Sequence, residues 1–198
     1  MTEEFNDKES RLLDNAFRLF TQKGVKDTSI QEIVDSAKVA KGTFYLYFKD
    51  KYEIRDVLIA QKSKKLFNDA LRALKKSDVT GLSNEVIFII DHVIDALSKN
   101  TLLLKFISKN LSWGVYNETF NKIYEKEANN ENGVRSLFLK GIEENNIKLK
   151  DPDVTLFMII ELVSSTCFNS ILYSNPLPID EFKPYLFSTI EKLIQNNA

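Results

Sequence analysis

Residues 8–23 set Leu12, Leu13, Ala16, Phe17, Leu19 and Phe20 on one apolar stripe at helical spacing, with charged and polar residues between them. Gly24 stands where a left-handed C-terminal cap is expected. Thr28-Ser29-Ile30-Gln31 fits a capping box, which predicts a second helix capped by Thr28 and burying Ile30, Ile33, Val34 and Ala37. A break over residues 37–39 leads to a third short helix that carries Phe44 and Phe48 inward. Asp50, with Glu53 three positions on, predicts the start of a long helix over residues 51–75.

The rest of the chain keeps the helical period. Ser83 is the expected cap of a helix over residues 83–98, with Val86, Ile87, Ile90, Val93, Ile94 and Leu97 inside. A shorter helix is expected over residues 102–111, interrupted by Trp113-Gly114, and one or two more over residues 117–146. Asp151-Pro152 is a cap followed by proline at the first helical position, opening a helix over residues 152–173. Asn175-Pro176 ends it, and a last helix covers residues 180–195, with Pro184 expected near the first turn, where amides are unpaired anyway. No stretch alternates as a strand would. The pattern predicts an all-α fold of nine or ten helices, divided into a small domain over residues 1–50 and a larger one over residues 51–198.

Composition narrows the class. With only four prolines, six glycines and 43% apolar residues, the chain suits packed helices rather than a turn-rich sheet or a disordered segment. The single cysteine, Cys167, excludes an intrachain disulfide and suits a reducing, cytoplasmic setting. Residues 1–10 are polar and acidic, unlike a signal peptide. The longest apolar stretch, residues 156–172, holds Glu161, Ser164, Ser165, Thr166, Asn169 and Ser170. It reads as too polar and too short for a membrane span, so a buried helix and no membrane partner are expected.

Charge adds a location. Between positions 38 and 65 there are eight basic residues against three acidic ones, a local +5 in a chain whose net charge is −1. A confined basic patch on a nearly neutral chain points to a defined polyanionic partner. At its centre, Lys41-Gly42-Thr43-Phe44-Tyr45-Leu46-Tyr47-Phe48-Lys49 joins cations, hydroxyls and aromatics directly behind a short capped helix. That order suits a helix-turn-helix whose second helix enters the major groove of double-stranded DNA.

These residues carry a family resemblance. Ala16-Phe17-Arg18-Leu19-Phe20, Gly24, Thr28-Ser29-Ile30, Glu32-Ile33, Ala37, Val39, Lys41 to Tyr45, Tyr47-Phe48, Lys51 and Ile54 lie in the register of the TetR family of transcriptional regulators. The chain resembles that family strongly over its first 58 residues and, beyond them, in length, helical content and the Asp-Pro helix start. The resemblance implies DNA contact through Thr28, Lys41, Gly42, Thr43, Tyr45, Tyr47 and Lys51. Lys41 and Lys51 are expected at phosphates, Gly42 at a close backbone approach, Thr43 and Tyr45 at base edges, and Tyr47 as a phosphate clamp. Lys51 also begins the long helix, whose N-terminus is expected to favour an anion. Three positions depart from the family pattern. Lys38 replaces a turn glycine, at about 1 kcal/mol if φ is positive; Ala40 replaces a serine cap, at about 1 kcal/mol; and Leu46 replaces an aromatic or polar residue.

The resemblance also implies a homodimer paired through the last two helices, with Phe157, Ile160, Ser164, Phe168, Ile171, Leu172, Leu186 and Ile190 as candidate contacts. It implies a repressor released from a pseudo-palindromic operator by a small, hydrophobic or weakly cationic effector. Candidate pocket residues are Phe88, His92, Phe106, Trp113, Tyr116, Phe120 and Phe168. An alternative is a dimeric DNA-binding protein controlled by a protein partner, without a small-molecule effector. Catalysis is not expected: His92 is the sole histidine, and neither a phosphate-binding glycine loop nor a metal-ligand motif is present. No cofactor is called for.

Overall fold

A computed structural model of the chain describes residues 2–107, 110–116 and 133–195. Ten helices lie within them, and no strand. The chain divides into two compact units, residues 1–61 and residues 62–198. The boundary expected at residue 50 followed a helix start; compactness puts it inside the long helix instead.

In the first unit, α1 spans Thr2–Lys23, α2 Ile30–Ala37 and α3 Lys41–Tyr47, followed by the start of α4, Lys51–Leu74. The apolar stripe of α1 delivers Leu12, Ala16 and Phe20 to a core completed by Ile33, Val34, Ala37, Phe44, Phe48, Ile54 and Leu58. The Phe44 and Phe48 rings meet at 5.7 Å. Fully burying such a side chain is worth about 1.5–3 kcal/mol, so this small cluster accounts for much of the unit's cohesion.

Two expectations about α2 shift by one residue. Its cap is Ser29, not Thr28, and the reciprocal partner is Glu32, not Gln31. The Ser29 hydroxyl accepts from the Glu32 amide at 3.2 Å, and Glu32 Oε2 accepts from the Ser29 amide at 2.9 Å. A carboxylate makes the stronger box, and Lys23 reinforces it at 2.5 Å. Thr28 is buried, its hydroxyl donating to the Gly24 carbonyl at 2.7 Å.

The turn between α2 and α3 holds the two unusual positions singled out in the sequence. Lys38 is left-handed, with φ 53° and ψ 48°. Arg11 of α1 donates to the Ala37 carbonyl and, at 3.0 Å, to that of Lys38, which fixes the turn despite its strain. Ala40 caps α3 without a side-chain hydrogen bond.

The second unit holds the remainder of α4 with α5 (Leu82–Lys99), α6 (Thr101–Ile107), α7 (Trp113–Tyr116), α8 (Val134–Glu144), α9 (Pro152–Tyr173) and α10 (Ile179–Gln195). Gly81 rather than Ser83 caps α5, without a side-chain bond. The helix expected to reach residue 111 is described over Thr101–Ile107 and does not include residues 110 and 111, and Trp113-Gly114 form a turn of helix instead of an interruption. Pro184 lies beyond the first turn of α10, where it removes the amide that would pair with the Asp180 carbonyl. Most of residues 117–146, including Asn129-Asn130, falls outside the described residues; α8 covers its end.

Close backbone approaches organise this unit. A Cβ on Gly114 would stand 2.6 Å from the Lys64 amide nitrogen, so α7 rests directly on the α4 main chain. A Cβ on Gly141 would meet Leu82 Cδ1 at 2.6 Å, which sets the approach of α8 to α5. Asp151 caps α9 by accepting from the Val154 amide at 3.0 Å, with Pro152 inside the first turn. Between α10 and α5, Lys183 pairs with Asp91 at 2.7 Å and Asp95 at 2.6 Å. Burial works against the Lys183 charge, yet the two carboxylates outweigh it and hold the ammonium above its ordinary pKa.

α9 corrects one argument from the sequence. At 22 residues, with mean hydropathy 1.6, it is long and apolar enough to cross a membrane by length and composition. Within the described residues its Leu156, Ile159, Ile160, Val163 and Cys167 lie in the core of the unit, against α8 and α10.

Candidate nucleic-acid interface

α3 is seven residues long, about 10 Å at 1.5 Å per residue. Phe44 turns fully inward, so the opposite face is fixed by the helical period. On that face lie Gly42, exposed, and Leu46, 70% exposed, with Tyr45 at its side 52% exposed. Lys41 is exposed at the helix start and Lys49 just past the helix end. Thr43 and Tyr47 lie half-buried.

Gly42 is the most telling of these. A Cβ built on it would meet nothing within 4 Å, and its φ is not in the left-handed region. Neither internal packing nor backbone conformation therefore calls for glycine, although glycine inside a helix costs about 0.5–1 kcal/mol against alanine. Its smallness matters only to something outside the chain.

Tyr47 lies beside the N-terminal part of α1. Burial, with a contribution from Glu9, pushes its phenol above the ordinary pKa, while Lys8 acts in the opposite sense. The group thus stays a neutral hydroxyl able to donate.

Two expected contacts are corrected. The Thr28 side chain is 1% exposed and its hydroxyl is engaged internally, so it offers nothing to a phosphate. Lys51 turns its ammonium inward, donating to the carbonyls of Lys26 at 2.7 Å and Thr28 at 2.8 Å. It ties the α1–α2 connection to α4. The anion site expected at the start of α4 is already filled: Asp50 Oδ1 accepts from the amides of Tyr52 and Glu53, each at 2.8 Å. Sequence reasoning treated Leu46 as a mere departure. Its signal was the spacing of four from Gly42, which places both on one helical face.

A groove of about 480 Å³ opens between the α4–α5 connection and α5, lined by Asp78, Val79, Thr80, Asn84, Ile87, Phe88 and Asp91. Of the candidates only Phe88 lines it, its ring stacked 6.5 Å from that of His92. Phe106, Tyr116 and Phe168 are half-buried against the core, and Trp113 is half-buried in α7. The Tyr116 hydroxyl donates to the Asp153 carbonyl at 3.0 Å, and burial pushes its pKa to about 12. Phe120 lies outside the described residues. Among those described, no group of three or more His, Cys, Asp or Glu residues is placed to hold a metal ion.

The expected dimer contacts divide in two. Ile160, Ser164, Leu186 and Ile190 are buried within the single chain. α9 scatters its polar residues around its whole circumference, and the sequence could not say which side turns inward. Phe168, Ile171 and Leu172 are half-buried, while Phe157 is exposed. The apolar groups left in solvent are Val154, Phe157 and Met158 at the start of α9, Tyr173 at its end, and Tyr185 on α10.

The family model described as bacterial regulatory proteins, tetR family, matches residues 12–58. The chain is 30% identical over 155 residues to the transposon Tn10 TetC protein of Escherichia coli, across 77% of this chain and 74% of that protein. It is 26% identical over 163 residues to the uncharacterized HTH-type transcriptional regulator YhgD of Bacillus subtilis (strain 168), across 82% and 84%. Its fold is similar to that of the transcriptional regulator FadR from Bacillus subtilis in complex with stearoyl-CoA, with a TM-score of 0.63, 19% identity, and coverage of 96% and 99%.

Proposed function

As a member of the TetR family this chain is a DNA-binding transcriptional regulator, and we propose that it works as a cytoplasmic homodimeric repressor released from a pseudo-palindromic operator by a small apolar effector. α3 enters the major groove in this reading, with Gly42 against the duplex, Thr43 and Tyr45 at base edges, and Lys41 and Tyr47 at phosphates. Gly42 carries the argument, because a helix gives up stability there for no internal reason. The basic excess around it supplies the salt-dependent attraction to phosphate.

The exposed apolar residues of α9 and α10 support self-association. Val154, Phe157 and Met158 keep 50%, 43% and 47% of their surface in solvent, a run of apolar groups that a partner could cover. Two-fold pairing would present two copies of α3 to half-sites about 34–36 Å apart. The groove beside Phe88 supports an effector with an apolar body. The Asp78 carboxylate in the groove's lining, with Asp91 already paired to Lys183, favours a weak positive charge on the effector over a polyanionic headgroup such as that of the stearoyl-CoA held by FadR.

The test is selection of bound fragments from random or genomic duplexes, followed by mass measurement of the complex. Inverted repeats bound by two protomers support the reading; single, non-repeated sites bound by one protomer refute it. A metabolite screen for compounds that raise the melting temperature and release the selected duplex tests the effector separately.

A further inference from the structure

We infer that Leu46 reads a thymine, through apolar contact with its C5-methyl group. The inference rests on α3 being the helix that enters the groove. Three observations converge on it.

Leu46 is 70% exposed, more than any of the chain's other exposed large apolar side chains, and it lies on the same face of α3 as Gly42 and Tyr45. A lone exposed leucine needs no explanation. This one lies on a seven-residue helix with an exposed cation at either end, Lys41 at its start and Lys49 just past its close, whose charge is complementary to phosphate. Helical side chains lean toward the preceding turn, which carries the Leu46 isobutyl group toward Gly42. The space where a Gly42 side chain would begin is empty to 4 Å, so Leu46 does not fill it. Together the two residues form a notch with one aliphatic wall and a bare backbone floor. Its walls offer no hydrogen-bonding side chain, so it cannot select a base by its donors and acceptors. In the major groove one base edge matches that chemistry: thymine, which presents a methyl group where cytosine has hydrogen.

The experiment uses the full-length protein and its selected duplex, with each thymine replaced in turn by deoxyuridine, which deletes only the methyl. Wild-type affinity should fall about fourfold per half-site at one position, the worth of one buried carbon. Leu46→Ala should weaken the unmodified duplex to a similar degree and lose its response to the replacement at that position. Its salt dependence should not change, because no phosphate contact is removed. A wild-type scan in which every thymine is replaceable without loss overturns the inference, as does a response that persists in Leu46→Ala. Failure to bind any duplex, even at low salt, would instead sink the placement of α3 and take this inference with it.

Discussion

At position 42 stability and function pull apart. Gly42→Ala should raise folding stability by about 0.5–1 kcal/mol, since the added methyl enters open space and alanine favours helix. The same variant should lose about tenfold or more in affinity for its duplex, near 1.4 kcal/mol, by holding the backbone away from the bases. Thermal denaturation and anisotropy titration on one preparation check both signs. A variant that gains stability and binds unchanged would remove Gly42 from the interface. Lys38 shows the reverse relation, local disfavour with structural compensation, and Ala40 leaves its helix start without a side-chain cap. The left-handed Lys38 is held through its carbonyl by Arg11, twenty-seven positions away in sequence, a partner no local pattern announces. The missing cap follows from alanine having no acceptor, whereas the left-handed backbone at Lys38 was only a condition attached to a position where the family carries glycine. The sequence could not foretell the inward turn of Lys51, because an ammonium seeks whatever acceptors the tertiary fold provides.

Among the elements, α2 depends most on a charged cap. Hydrogen bonding from Lys23, then from the Ser29 amide and hydroxyl, lowers the Glu32 pKa from 4.5 to about 2. A lowered folded pKa means the contribution is fully present above about 4.5 and is lost as pH falls toward 2. Denaturant titrations at several pH values should therefore show a loss across this window that is shallower in Glu32→Gln. Identical slopes would show that the box does not couple to folding. Helix existence was legible nearly everywhere described, because the apolar period is strong. α9 matched its expected bounds because Asp151-Pro152 is an unambiguous start. Errors gathered at starts with competing signals: Thr28 and Ser29 both fit a box, and Ser83 lost to Gly81. The faces of α9 were illegible for a different reason, since a helix without a polar side gives no clue to which side is covered.

For the molecule as a whole, self-association should hinge on the uncovered start of α9. Met158, 47% exposed, can be changed without opening the core. Met158→Glu should weaken the dimer by about two orders of magnitude, the consequence of burying an unpaired carboxylate, with a matching loss of operator affinity. Sedimentation velocity across a dilution series reads the first effect. An unaltered dimer would move the interface elsewhere. The seam at Gly114 has a practical consequence for such work. The chain has one tryptophan, Trp113, the immediate neighbour of the glycine that lies on the α4 main chain. Emission excited at the red edge of the absorption band, where the seven tyrosines are silent, therefore comes from a single indole at that junction, and its colour and quenching report whether α7 stays seated without any dye being attached.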